Sequence, residues 1–374
     1  MSLLLDEIAL AAARLAEAGV ESPRAEAELI AAHVHGVRRA ELHTVPDASF
    51  DARFWEGVGR RAAREPLQHI TGRAYFRYLE LEVGPGVFVP RPETEVMTGW
   101  AIDRLREMDV AEPVVVDLGT GSGAIALAIA QEAPRARVHA VEADPIARGW
   151  TEKNVARVAS AAPYTRGRVT LHSADFTEAD FTGADFTGAD FTGADFTRSD
   201  FTRADFTRSD LTGADLTRSD LSGADLSGAD LSGADFTGAD FTRSDLAGAD
   251  FAGPGVTAPG TLGELAGQAD LVISNPPYIP LGATVPPEVG EYDPPAALWG
   301  GADGLDAIRA VERAARRLLR PGGMIAVEHG APQGAAVYWV FCEEAGWRDT
   351  RNHKDLARRD RFVTATWPGE RADG

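Results

Sequence analysis

The chain is poor in cysteine, in lysine and in long apolar runs. Cys342 is the only thiol among 374 residues, so a disulfide within the chain is excluded, and a cysteine-built metal site with it. Cys342 itself reads as a core thiol, and no metal site is expected. No run of about 18 apolar residues occurs, which rules out a transmembrane helix. The opening MSLLLDEIAL carries Asp6 and Glu7 and no basic lead, so no secretory signal is expected. The expected compartment is a reducing cytoplasm. Lys153 and Lys354 are the only lysines beside 35 arginines, and the net charge is −20. That balance disfavours broad phosphate-backbone binding, and neither nucleic acid nor a membrane is an expected direct partner. The remaining composition is ordinary for a folded chain. At roughly 150 residues per domain, two or three domains are expected.

A repeat dominates the middle of the chain. From Ala174 to Ala252 the period is strictly five, as in ADFTG, with Phe or Leu at 176, 181 and every fifth position to 251. Asp always precedes it, and Ala or Ser stands two residues before it. Five fits neither a helix at 3.6 nor a strand at 2. It fits a coil in which each pentamer makes one side of a square, with Phe/Leu and Ala/Ser inward and the polar positions outward. The segment resembles the pentapeptide-repeat family. That resemblance implies a right-handed quadrilateral β-helix with four pentamers per coil, hence four coils. The repeat holds sixteen Asp and Glu178 against five Arg, so most of the acidity is local to it. Three readings are open for this column: a tolerated insertion, a partner or self-contact surface, and an acidic imitation of DNA.

On either side the pattern changes. Leu4, Ile8, Ala11 and Leu15 share one helical face. Ser22-Pro23 supplies an N-cap and an N1 proline for a second helix carrying Ala25, Leu29 and Ala32. A third helix is expected from Asp51. Residues 67–90 read as extended, with Gly84, Pro85 and Gly86 marking a hairpin or connector. From 113 onward strands alternate with helices: VVVDLG, SGAIALAIAQEA, RVHAVEAD, RVTLHSAD, then ADLVISN, GLDAIRAVERAARRLL and MIAVEHG. Such alternation implies a doubly wound, mostly parallel sheet. The expected division is a helical domain over 1–75, a connector over 76–112, an α/β domain over 113–175 and 256–374, and the repeat over 176–255.

Two motifs carry chemistry. VVVDLGTGSG ends a buried strand at Asp117 and opens a turn with Gly119, Thr120, Gly121, Ser122 and Gly123. Glycines there let the backbone approach a ligand at a helix N-terminus. Such a turn could also serve NAD, or simply pack. Glu142, at the end of the next strand, suits two ribose hydroxyls, and the turn holds no Arg or Lys for a phosphate. S-adenosylmethionine has a ribose and no phosphate. The second motif is Asn275-Pro276-Pro277-Tyr278, at the carboxyl end of a buried strand, where open α/β sheets bind ligands. The prolines fix the backbone and leave carbonyls as acceptors. An Asn oxygen, a carbonyl and an aromatic ring suit a planar –NH2 group.

DLGTGSG, VEAD and NPPY in this order resemble class I (Rossmann-like) methyltransferases acting on amide or exocyclic nitrogens. REPLQHITG (64–72), FVPRPETE (88–95), YDPPAALWGGADGLDA (292–307) and AVEHG (326–330) are similar to the protein-(glutamine-N5) methyltransferases of peptide chain release factors. The resemblance covers about 1–175 and 256–368, and the column departs from the family pattern. It implies methylation of the glutamine in a Gly-Gly-Gln motif, with the N-terminal helical domain recognising the factor. It places the cofactor at Asp117, Gly119–Gly123, Glu142 and Asn275, and an acidic-aromatic pair after the third strand, here Asp175-Phe176, at the adenine. Asn275 to Tyr278 then hold the glutamine amide, with Phe88 and Pro90 near the same pocket. The expected chemistry is positioning, with Asn275 Oδ1 and the Pro276 carbonyl each accepting one amide N–H. Two alternatives differ in class: a nucleic-acid amino-group methyltransferase of the N6-adenine type, and a pentapeptide-repeat binding module. His33 and His35 read as surface residues, Arg60, Arg61 and Arg64 as a solvated helix face, and Glu328-His329 as structural.

Overall fold

The computed structural model describes residues 3–45, 52–174 and 267–369, with part of the positions between 199 and 265. Four helices open the chain: α1 (Leu3–Glu17), α2 (Pro23–His35), α3 (Ala52–Ala62) and α4 (Leu67–Thr71). Leu4, Ile8, Ala11 and Leu15 of α1 pack with Ala27, Ile30 and Ala31 of α2 and with Phe54 and Val58 of α3. The buried stripe of α2 is thus rotated from the one read in the sequence, and Ala25 and Leu29 sit half-buried beside it. Ser22 and Pro23 start α2, but the Ser22 hydroxyl makes no cap bond.

Residues 67–90 are not all extended. Pro66 leads into α4, and Gly72 closes it in the left-handed region. Five residues are too few to show a helical period, which is why the sequence hid this turn. A hairpin follows, β1 (Arg73–Phe76) and β2 (Leu79–Glu82), paired antiparallel. Its turn falls at Arg77-Tyr78, and Gly84–Gly86 lies beyond it in the connector to α5 (Thr94–Glu107).

The remaining elements are β3 (Val114–Leu118), α6 (Ala124–Glu132), β4 (Arg137–Val141), α7 (Pro145–Ala161), β5 (Val169–His172), β6 (Ala269–Ser274), α8 (Pro287–Gly290), α9 (Asp306–Leu318), β7 (Leu319–Glu328), α10 (Gly334–Val340), β8 (Arg348–Lys354) and β9 (Asp360–Thr366). The sheet order is β5-β4-β3-β6-β7-β9-β8. β9 runs opposite to the other six strands. α5, α6 and α7 cover one face, and α9 and α10 the other. With both faces covered, β3 and β6 are buried along their whole length, which explains their continuous apolar text. The chain winds outward from β3 to β5 and returns at β6. The loops after β3 and β6 therefore diverge at the switch point, where a crevice must open. No helix among the described residues is long and apolar enough to cross a membrane.

Between β5 and β6 the described repeat positions form a core of their own. Phe201, Phe206, Leu211, Leu216, Leu221 and Leu226 are buried, with the intervening Ala204, Ala214 and Ala224. Ser199, Ser209 and Ser219 are buried too. Asp205 pairs in parallel with Asp225, twenty residues on. Phe206 N–H donates to Asp225 O (2.7 Å), and Leu211 N–H donates to Asp230 O (2.8 Å). A rung every twenty residues is four pentamers per coil.

Candidate active site

Past β3 the backbone enters the left-handed region three times, at Gly119, Gly121 and Gly123, with φ of 72°, 58° and 83°. A residue with a Cβ is strained in that region, so this turn needs glycine. Gly119 and Thr120 both donate their N–H to Val141 O, each at 3.0 Å, which ties the turn to the end of β4. Gly121 N–H donates to Glu142 Oε2 (2.8 Å), and Asp144 N–H donates to Oε1 (3.0 Å). Glu142 is thereby held at the mouth of the crevice. Burial raises its pKa, while the backbone N–H donors oppose that rise.

Asp117 stands behind this turn. It is fully buried and accepts from Thr120 Oγ1 (2.6 Å) and Ala126 N–H (3.1 Å). Burial pushes its carboxyl up to about 7. Two further anchors were not read from the sequence. Thr151 Oγ1 donates to Gly121 O (2.6 Å). Asn154 Nδ2 donates to Ser122 O and to Glu82 O, both at 2.9 Å, and its Oδ1 accepts Glu82 N–H (2.7 Å). Thr and Asn mid-helix carry no local signature, so only the packing of α7 against the turn reveals them.

The NPPY segment leaves β6 beside this turn. Ser274 Oγ donates to Leu118 O (2.7 Å), which locks the ends of β6 and β3 together. Asn275 Nδ2 donates to Thr94 Oγ1 (3.2 Å). Asn275 Oδ1 and the Pro276 carbonyl find no donor among the described residues. The Tyr278 hydroxyl donates to Glu328 Oε1 (3.3 Å), and burial pushes the Tyr278 pKa up.

One cavity of about 440 Å³ joins the two motifs. Gly119, Thr120, Gly121, Ser122 and Glu142 line one side. Asn275, Pro276, Pro277 and Tyr278 line the other, with Phe88 and Pro90 facing them. Asp117 and Gly123 are not on its wall: Asp117 turns its carboxylate into the loop, and Gly123 caps α6. Asp175 and Phe176 lie outside the described residues. Val285, Pro286, Val289 and Leu298, from the segment around α8, complete the wall.

That segment is latched to the N-terminal helices, which corrects the reading of two of the three arginines, Arg61 and Arg64. Arg61 is buried and donates to Glu26 (2.5 Å) and Glu288 (2.9 Å). Arg64 also reaches Glu288 (2.7 Å), while Arg60 pairs with Glu65 (2.5 Å). Arg61 and Arg64 face protein carboxylates rather than solvent, because α8 packs its one acid against the end of α3, whereas Arg60 is exposed as the solvated-face reading expects. Arg91 likewise holds Asp293 (2.5 Å). Glu328 is buried directly behind Tyr278. His329 does serve the fold, with bonds to Gly330 O (2.9 Å) and Asn352 Oδ1 (3.0 Å).

Comparison with known proteins agrees with this arrangement. The PrmC N-terminal domain family matches residues 8–72, and the methyltransferase small domain family matches 84–179. Pentapeptide repeats match 168–203, 188–223 and 219–253. The release factor glutamine methyltransferase of Streptomyces coelicolor is 47% identical over 98% of both chains. That of Mycolicibacterium smegmatis is 38% identical over 98% of both chains. The 4-amino-L-phenylalanine/4-methylamino-L-phenylalanine methyltransferase of Streptomyces pristinaespiralis is 33% identical, over 92% of this chain and 87% of its own. The cavity between a glycine turn with its anchored glutamate and an NPPY wall, together with relatives matched end to end, places this chain in the release factor glutamine methyltransferase family.

Proposed function

We propose that this chain transfers the methyl group of S-adenosylmethionine to the side-chain amide nitrogen of the glutamine in the Gly-Gly-Gln motif of peptide chain release factors, in the cytoplasm. One observation carries the reading. Two unengaged acceptors, Asn275 Oδ1 and the Pro276 carbonyl, share a cavity with the Gly119–Ser122 turn and Glu142. A primary amide has two N–H groups to satisfy, and this wall offers two acceptors beside an aromatic ring.

S-adenosylmethionine supplies an electrophilic methyl on sulfur. The residues fit it: Glu142 offers carboxylate oxygens to ribose hydroxyls, and the Gly119–Ser122 backbone leaves room for close approach. Asp117 belongs to this site as a support of the turn. Asn275 and Pro276 accept the two amide hydrogens, which favours a pyramidal nitrogen and aims its lone pair out of the amide plane. Tyr278 and Phe88 flank the amide and exclude water. With the cofactor bound, these residues would hold the amide nitrogen toward the sulfonium methyl, and the nitrogen would give up one of its two protons as it gained the methyl. The rate gain comes from positioning and from fixed dipoles. Residues 1–75 serve to recognise the factor, and 113–175 with 256–374 carry the transfer.

The test is mass spectrometry after incubating the chain with labelled cofactor and either purified release factor or DNA. One methyl on the Gly-Gly-Gln peptide is the expected result. Label in DNA, or on another residue of the factor, overturns the assignment.

A further inference from the structure

Resting on the amide-methylation reading, we propose that Thr94 and Glu328 form a polarity relay that decides which end of the Asn275 side chain faces the substrate. The two ends of a primary amide are nearly equal in shape and opposite in hydrogen-bonding sense, so packing alone does not choose between them. A hydrogen bond must. Only the oxygen end can receive a substrate N–H.

Glu328 ends β7 and is 1% exposed. As a carboxylate it only accepts. Its Oε1 takes the Tyr278 hydroxyl, its buried Oε2 has no hydrogen-bond partner among the described residues, and the Thr94 side chain lies beside that carboxylate as the nearby hydroxyl able to turn toward it. Thr94 has one hydroxyl hydrogen. Once that hydrogen points at Glu328, Thr94 Oγ1 offers only lone pairs to Asn275. Nδ2 is the end that donates to it, at 3.2 Å, and Oδ1 is left to the cavity. Thr94 is itself fixed: it is the first residue of α5, 4% exposed, and its carbonyl accepts from Thr98 Oγ1 (3.0 Å). Glu328 thus sets Asn275 through Thr94 and orients the Tyr278 ring directly. It is a positioning residue, off the cavity wall.

The groups facing Glu328 are Thr94 and Glu93 at the start of α5, Tyr278 after β6, and Arg361 on β9. Burial pushes its carboxyl up to about 7. Protonated Glu328 can donate to Thr94, and the Thr94 hydrogen is then free to turn toward Asn275. The relay holds only with Glu328 ionised.

The test uses the full chain and purified release factor. Glu328→Gln and Thr94→Val each lower kcat about 10- to 100-fold, with KM for the factor and cofactor affinity little changed. Thr94→Ser keeps the hydroxyl and recovers most of the loss. The double variant falls no further than its worse parent, because one chain is broken twice. Wild-type kcat rises with pH to a plateau, with a midpoint at about 7, and the Thr94→Val profile is flat there. The folded-state pKa of this acid lies above its ordinary value, so its contribution to stability is full below about 4.5 and is lost as pH rises through about 7. Glu328→Gln removes that loss and melts higher than wild type at alkaline pH. The Asn275 side-chain amide resonance, identified by its loss in Asn275→Ala, shifts with the same midpoint in wild type but not in Glu328→Gln. Wild-type kcat in both single variants, or losses that add and track falling stability, overturn the relay. A wild-type chain that labels no release factor but shows the amide titration overturns the substrate reading and upholds the relay.

Discussion

Asn275 and Glu142 face one cavity, and the proposed reaction gives them different tasks that substitution separates. Asn275→Ala removes an acceptor that matters once the amide nitrogen begins to pyramidalise. Its kcat falls about 10²- to 10³-fold, as when one fixed dipole is lost from a transition state. Cofactor affinity, measured by equilibrium binding, stays near wild type. Glu142→Gln does the reverse. It loses the charge-assisted bonds to Gly121 and Asp144 as well as those offered to ligand hydroxyls. Cofactor affinity drops about tenfold, the equivalent of about 1.4 kcal/mol, while kcat at saturating cofactor is largely kept. Of the two acids read from the glycine motif, the sequence marked both as cofactor contacts. Asp117 lies at the strand end with its carboxylate turned onto Thr120 and Ala126, and only the side-chain direction distinguishes the two.

At the scale of elements, the glycine turn is held from behind by α7. Asn154 satisfies three main-chain groups at once, two on Glu82 of β2 and one on Ser122. Asn154→Ala leaves the Glu82 N–H and two carbonyls without their partner in a buried seam. The expected cost is about 1–3 kcal/mol. Thermal unfolding checks this, and cofactor affinity falls with it as the turn loosens. A melting temperature equal to wild type removes the anchor role. The strands and the long helices were legible because continuous apolar text and a clear period mark elements buried on both faces or on one. α4 was not, because five residues between Pro66 and Gly72 carry no period. The hairpin turn was not either, because Arg77-Tyr78 lacks turn glycine and Arg77 takes a positive φ of 52° in its place.

At the scale of the molecule, the described residues of the column and of the transferase are built on separate cores. The buried Phe, Leu and Ala of the repeat pack on one another. Among the described residues, the two clusters around the sheet close without them, save for the half-buried Ala174 where the repeat begins. Deletion of 177–252 with a short linker is therefore expected to leave release factor methylation unchanged, since a loop tolerates length at modest entropic cost. Loss of methylation with the fold intact by circular dichroism shows that the column takes part in substrate binding. What the sequence by itself determined is whatever is encoded within a few residues: the glycine turn, the rigid NPPY segment, the five-residue period of the coil, and the burial of the central strands. Steric limits on the backbone act locally, so short motifs carry them intact. What only the tertiary structure decided is which side chains meet. Thr94 reaches Asn275 across 181 positions, and Arg61 reaches Glu288 across 227. Thr, Glu and Arg are common residues with no local signature. Their roles arise from the sheet's switch point, which folds distant segments of chain onto a single crevice.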